Sequence, residues 1–186
     1  AYNIAIGHDA GLSVTTGVQN TLIGGLAGDA LTTGSDNIAI GYLALSTEDG
    51  NGRNVAIGKG ALQSLNAGAD AYNIAIGYNS GLDVSTGNYN ILIGGNAGVA
   101  LTTGNESIAI GFSALNAEDT GGKNIAIGYK SLEVLDAGGD GNNVAVGRDS
   151  GRAMSTGIKN TIVGALCGDA LTTGDNNIII GYNAAA

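Results

Sequence analysis

The chain has no proline and no tryptophan, and only one cysteine, one methionine, one phenylalanine and one histidine. Without proline, and without glycine at every third position, its 34 glycines in 186 residues do not describe a collagen-like helix. A single cysteine excludes an internal disulfide framework and leaves the compartment open. Cys167 occupies a position that holds Ala or Ser elsewhere, so it reads as a small buried residue. Charge is also scarce, at 12% of residues, with a net charge of −9. The seven basic residues are scattered and form no patch, which argues against a nucleic-acid partner. No apolar run approaches the about 20 residues of a membrane span, and no signal peptide is visible.

What is present is regular. Apolar residues make up 44% of the chain, and the Ile, Val and Leu among them return on a fixed period, unlike those of a disordered segment. Asn3-Ile4-Ala5-Ile6-Gly7 recurs with small changes at Asn20, Asn37, Asn54, Asn73, Asn90, Ser107, Asn124, Asn143, Asn160 and Asn177, eleven copies in all. The spacing is 17 residues, except that the fourth and eighth repeats are 19 long, so four repeats make a unit of 70. Short-period self-similarity of this kind signals a solenoid. The expected fold is all-β: one parallel β-solenoid over residues 1–186, of about eleven coils of 17–19 residues with a 70-residue superperiod. The chain starts and stops inside a repeat, as a segment of a longer fibre protein would.

The positions of one repeat divide into slots. Slot one is Asn in ten of eleven copies, which predicts a ladder of stacked side chains bonded to one another at a turn. Slots two to four are apolar and rich in β-branched residues, and slot five is always Gly, so a short strand ends at a turn. Slot eight is small throughout, from Ala10 to Ala184. Slot twelve is mostly large and apolar, as in Leu31, Leu101 and Met154, but is Glu at Glu48 and Glu118. The repeat closes on Thr-Gly or a near equivalent, where Gly supplies a tight corner. The pattern predicts two short strands and two corners per repeat. Ala61–Leu65 and Ser131–Leu135 allow one helical turn at most.

Slots two and four of a strand point one way and slot three the other. The larger Ile, Val and Thr of slots two and four are assigned to the coil interior. Slot three then faces outward at Ala5, Leu22, Ala39, Ala56, Ala75, Leu92, Ala109, Ala126, Ala145, Ile162 and Ile179. It is never polar, and a strand apolar on both faces is buried on both. The expected cover is a second copy of the chain, with slot three as the oligomer interface.

The repeated Asn-x-Ala-Ile-Gly-x-x-Ala/Ser, as in Asn3–Ala10, Asn73–Ser80 and Lys123–Ser131, resembles the head repeats of trimeric autotransporter adhesins and the repeats of phage tail fibres. The resemblance covers the whole chain. It implies a trimer of left-handed parallel β-rolls whose apolar strands face the three-fold axis. It also implies an extracellular, cell-surface or virion location, attachment to a surface, and no catalytic residues. Autotransporter head repeats are shorter than these 17-residue coils, and the added Thr-Thr-Gly segment is closer to phage or environmental fibre repeats.

Other chemistry is thin. Ile6-Gly7-His8-Asp9-Ala10 matches one acyltransferase hexapeptide, but that fold needs three per coil and a catalytic His, and His8 has Tyr78 and Arg148 as counterparts. An enzyme is therefore not expected, and no cofactor is implied. Adjacent Thr pairs such as Thr15-Thr16 and Thr102-Thr103 suggest ice binding, yet neighbouring strand residues point oppositely, so a corner ladder of hydroxyls is the simpler reading. Glu48, Asp49 and Asp70 offer either a solvated corner or one cation per 70-residue unit. Aromatics fall in slot six at Tyr42, Phe112 and Tyr182, 70 residues apart, with Tyr78 and Tyr129 between them. They are the receptor-contact candidates, since rows of rings stack on sugar faces. The functional expectation is a shaft or head segment of an extracellular or virion fibre, trimeric and adhesive to surface carbohydrate. A subunit of an end-to-end stacked filament is the alternative.

Overall fold

The computed structural model describes residues 2–50 and 52–185. Eleven three-residue strands follow one another: β1 Ile4–Ile6, β2 Thr21–Ile23, β3 Ile38–Ile40, β4 Val55–Ile57, β5 Ile74–Ile76, β6 Ile91–Ile93, β7 Ile108–Ile110, β8 Ile125–Ile127, β9 Val144–Val146, β10 Thr161–Val163 and β11 Ile178–Ile180. They form one parallel sheet in chain order. Every coil stacks slot on slot upon the next, as in Ile4 on Thr21, Ala5 on Leu22 and Ile6 on Ile23. The 19-residue coils keep this register, with Val55 on Ile74 and Ile125 on Val144. The protein is a parallel β-solenoid, and the two extra residues are absorbed in a corner.

Among the described residues each coil contains one strand, not the expected two. The limb after slot five is a chain of turns, because residues there adopt left-handed backbone. Slot seven does so at Asp9, Leu26 and Asn79, and slot nine at Gly28 and Gly98 but also at Leu45, Leu62, Leu115 and Leu132, at φ between 47° and 53°. Ala61–Leu65 and Ser131–Leu135 each close a single turn, the Leu65 N–H donating to the Leu62 carbonyl and the Leu135 N–H to that of Leu132, both at 3.3 Å, and the positive φ of Leu62 and Leu132 keeps it from growing into a helix.

The slot-one ladder holds one corner. Its dominant bonds run from side chain to backbone. The Asn20 N–H donates to Asn3 Oδ1 at 2.9 Å, and Asn20 Nδ2 donates to the Gly34 carbonyl at 2.9 Å. Amide-to-amide bonds supplement these, as from Asn177 Nδ2 to Asn160 Oδ1 at 3.0 Å. Ser107 interrupts the file, yet its hydroxyl still accepts the Asn124 N–H at 3.4 Å. At the next corner slot five approaches the adjacent rung too closely for any side chain. Gly94 has φ 131°, and a Cβ there would lie 2.5 Å from the Gly111 carbonyl oxygen.

The core inverts the expected strand orientation. Slot three points into the coil: Leu22, Ala39, Ala56, Ala75, Leu92, Ala109, Ala126, Ala145 and Ile162 are all fully buried. Ala5 and Ile179 occupy the same inward slot in the first and eleventh coils. The residues assigned above to an oligomer interface are thus interior residues. Slots two and four point outward and stay half-buried or exposed. Alternation told which slots share a face but not which face is inside. Thickness decides: slot three already shares the interior with slots eight, nine and twelve, leaving no room for two Ile per coil.

Bulk is traded inside the coil. Where slot three is large at Leu22, Leu92 and Ile162, slot nine is glycine at Gly28, Gly98 and Gly168: a Cβ on Gly98 would stand 2.8 Å from Leu92 Cδ2, and one on Gly81 of the preceding coil 2.7 Å from Leu92 Cδ1. Where slot three is alanine at Ala39, Ala56, Ala109 and Ala126, slot nine is a buried leucine, Leu45, Leu62, Leu115 or Leu132. This alternation has the four-coil period and gives the 70-residue unit an internal cause. Slot eight adds polar ties, with Ser80 Oγ donating to the Leu92 carbonyl at 2.7 Å and Ser150 Oγ to that of Ile162 at 3.1 Å. Cys167 fills the same slot, fully buried.

Candidate functional site

The outward strand face runs along the whole stack of strands. Slots two and four form two files of Ile, Val and Thr. Eleven rungs at about 4.8 Å give a strip about 50 Å tall. Ile38 and Ile76 are 38% and 36% exposed in mid-stack, and the end-coil residues Ile4 and Ile178 reach 52% and 77%. Ile6 and Ile180 are likewise exposed, and the rest of each file is shaded by neighbouring rungs. Isolated apolar residues on a surface are ordinary, whereas here they form a contiguous strip.

Two flanks border the strip. On one side lies slot six. On the other lies the residue before each slot one, here slot zero, in left-handed backbone at Gln19, Asp36, Arg53, Tyr72, Tyr89, Glu106, Lys123, Asn142, Lys159 and Asn176. Sequence reasoning missed slot zero, although Tyr2 and Tyr72 stand 70 residues apart. Tyr72 and Tyr89 stack with centroids 5.5 Å apart and planes 7° from parallel. Arg53 covers the Tyr72 ring at 5.5 Å and donates from Nη1 to its hydroxyl at 3.1 Å.

All five receptor-contact candidates, Tyr42, Tyr78, Phe112, Tyr129 and Tyr182, lie on the slot-six flank and are exposed. The structure lines them up along the stacking axis, and Phe112, Tyr129 and Tyr78 each have a ring face taken by a neighbour. Phe112 stacks on Tyr129 at 5.7 Å. Tyr129 also meets Lys130 Nζ at 5.7 Å and the Arg148 guanidinium at 6.0 Å. Lys59 covers Tyr78 at 5.6 Å. This flank therefore presents cations beside its rings to solvent.

The remaining candidate groups are spent on the fold. The Thr hydroxyls bridge coils: Thr15 Oγ1 donates to the Thr32 carbonyl at 3.1 Å and Thr32 Oγ1 to that of Asp49 at 2.8 Å. Asp70 is paired with Arg53, and Lys123 with Asp140 at 2.6 Å, closing the two 19-residue coils. Glu48 is buried and Asp49 exposed, and among the described residues no three acidic, His or Cys side chains converge. His8 lies beside Asp9 at 3.0 Å on the surface.

Glu118 is a strongly perturbed ionisable group. It stands fully buried in the slot-twelve file between Leu101 and Leu135. Oε1 accepts the N–H groups of Gly121 at 3.1 Å and Ala137 at 3.2 Å, and Oε2 accepts Asn124 Nδ2 at 3.2 Å. Burial pushes its pKa up to about 7, helped by the nearby Asp136 and Asp119 and opposed by the two backbone donors. It ties a 17-residue coil to the 19-residue coil above it, which makes it structural.

No family model, no curated protein and no solved structure matches this chain.

Proposed function

We propose that the chain is a shaft or head segment of an extracellular or virion fibre, assembled as a homotrimer around the outward strand face. The observation that carries this reading is the strip of slots two and four. With both flanks it measures about 50 Å by about 20 Å, which exceeds the about 800 Å² that each partner gives to a standard interface. A thin coil has a small core of its own, so assembly also supplies stability. The fibre role is further supported by the resemblance to autotransporter head and tail-fibre repeats.

Adhesion to surface carbohydrate is the finer part of the proposal, and Tyr42, Tyr78, Phe112, Tyr129 and Tyr182 are its contact residues. They and the cations between them would meet the sugar. A glycan array with wild type and Tyr42→Ala/Phe112→Ala tests this, and no binding by wild type leaves a pure shaft. Light scattering tests the assembly: three chains per particle are expected, and a clean monomer at micromolar concentration sinks it. Electron microscopy showing long uniform fibres would favour end-to-end stacking instead.

A further inference from the structure

We infer that the slot-six flank carries a binding site for an acidic saccharide, whose oxyanion is held by Lys59 and whose hydroxyls are held by Gln63 and Asn79. This rests on the carbohydrate reading above. It adds the chemical class of the ligand and the coils that bind it.

The chain has 16 acidic residues against seven basic ones, so an anion meets repulsion from the molecule as a whole. In the third to sixth coils, however, slots six, seven and ten hold no carboxylate. Lys59 stands in that window at slot six, exposed, with Tyr42 one coil before it and Tyr78 one coil after. Its Nζ lies 5.6 Å from the Tyr78 ring centroid. Among the described residues Lys59 has no ion-pair partner, whereas Arg53, Lys123, Lys130, Arg148 and Arg152 each have one. Lys159 is the other cation without one, and it lies on the slot-zero flank, where the coils before and after carry Asn142 and Asn176.

Two carboxamides stand beside this cation. Gly60 is the single glycine of slot seven, although that slot keeps left-handed backbone with a side chain at Leu43, Asn79 and Lys130, so the backbone does not demand it. Asn79 and Gln63 lean into the room it leaves: a Cβ on Gly60 would lie 2.6 Å from Asn79 Oδ1 and 3.4 Å from Gln63 Oε1. Neither carboxamide has a hydrogen-bond partner among the described residues. An ammonium supplies charge for a carboxylate or sulfate, and two amides that both donate and accept suit sugar hydroxyls. Tyr42 and Tyr78 add aromatic surface for the C–H groups of the sugar.

The next 70-residue unit has the same place in the fold but a different filling. Lys59, Gly60, Gln63 and Asn79 correspond there to Tyr129, Lys130, Glu133 and Asp149, and Tyr78 to Arg148. Its charges close on one another: Lys130 with Glu133 at 2.8 Å, Arg148 with Asp149 at 3.1 Å and Arg152 with Glu133 at 2.9 Å. The coil is thus compatible with an internally paired set at these positions, and the first unit leaves its polar groups open instead.

Binding of the full chain to immobilised oligosaccharides of equal length tests the site, with one probe built of uronic acids, one sulfated and one neutral. Wild type is expected to bind an acidic probe in preference to the neutral one, and the two acidic probes tell a carboxylate ligand from a sulfate. Lys59→Gln is expected to weaken that binding about tenfold or more, and Gln63→Ala/Asn79→Ala to weaken it as well. Lys159→Gln removes the same charge from the other flank and should bind as wild type does. The acidic site is overturned by equal binding of the neutral probe, by a Lys59→Gln variant that binds like wild type, or by a Lys159→Gln loss as large as that of Lys59→Gln. Each of these leaves carbohydrate adhesion standing. A wild type that binds no glycan, acidic or neutral, removes adhesion and the site together.

Discussion

The two faces of each strand carry similar residues but answer to different constraints. The inward face is one side chain wide and is matched to slot nine across the coil, so Leu92 requires Gly81 and Gly98, whereas Ala109 goes with Leu115. The outward face is two side chains wide and nearly uniform, and within one chain it meets nothing but its own neighbours above and below. The inner face thus specifies how one chain folds. The outer face has no such partner in the chain and is free to specify what the chain joins.

Substitutions should separate the faces sharply. Leu92→Ala removes an interior side chain next to two glycines, and a loss of about 2–5 kcal/mol is expected in thermal or denaturant unfolding. A loss within experimental error would mean that slot three does not fill the core.

Glu118 sharpens the same contrast through pH. Its folded pKa, about 7, lies above the ordinary 4.5, so the folded chain holds more protons than the unfolded chain between those values. Stability should therefore rise as pH falls from 8 to 5, by up to about 3 kcal/mol from this group. Glu118→Gln should flatten the profile, and an unchanged slope would contradict the assignment. Burial would also raise the Glu133 carboxyl, but hydrogen bonds from Lys130 and Arg152 outweigh it and hold the group low. Its effect has the opposite sign and is felt at lower pH, as the group takes up a proton.

Gly98→Leu should overpack the core against Leu92 and cost about 1–3 kcal/mol, with further strain from its left-handed backbone. Adding Leu92→Ala rebuilds the Ala109 and Leu115 pairing in the coil below. The double variant is expected to be more stable than Gly98→Leu alone, and additive losses in a double-mutant cycle would refute the trade of bulk.

Much of the fold was legible in the sequence. The eleven copies, their spacing and the invariant slot-five Gly led directly to a parallel solenoid, and the structure places a strand at every copy. The inward and outward faces were not legible, because Ile-Ala-Ile alternates equally well either way round. The interior is too thin for the larger pair, and that thickness depends on slots seven and nine taking left-handed backbone. Leucine at Leu45 or Leu115 gives no local sign of a positive φ, as glycine would. The same turns removed the expected second strand. The aromatic flank was visible in slot six from its period, but Tyr72 and Tyr89 belong to a position that reads as the end of the preceding repeat. The stacking of rings on rings depends on the stacked coils and not on any one repeat.

The smallest effect on the monomer should be the largest on the assembly. Ile108→Ser/Ile110→Ser changes two outward side chains of β7 and should cost the single chain about 1 kcal/mol or less. Light scattering of wild type and this variant at matched micromolar concentration is the most direct test. Wild type should have the mass of three chains, and the variant should be a folded particle of one. A variant that keeps the wild-type mass, or that unfolds as Leu92→Ala does, would contradict the claim that slots two and four face a partner and slot three faces the core.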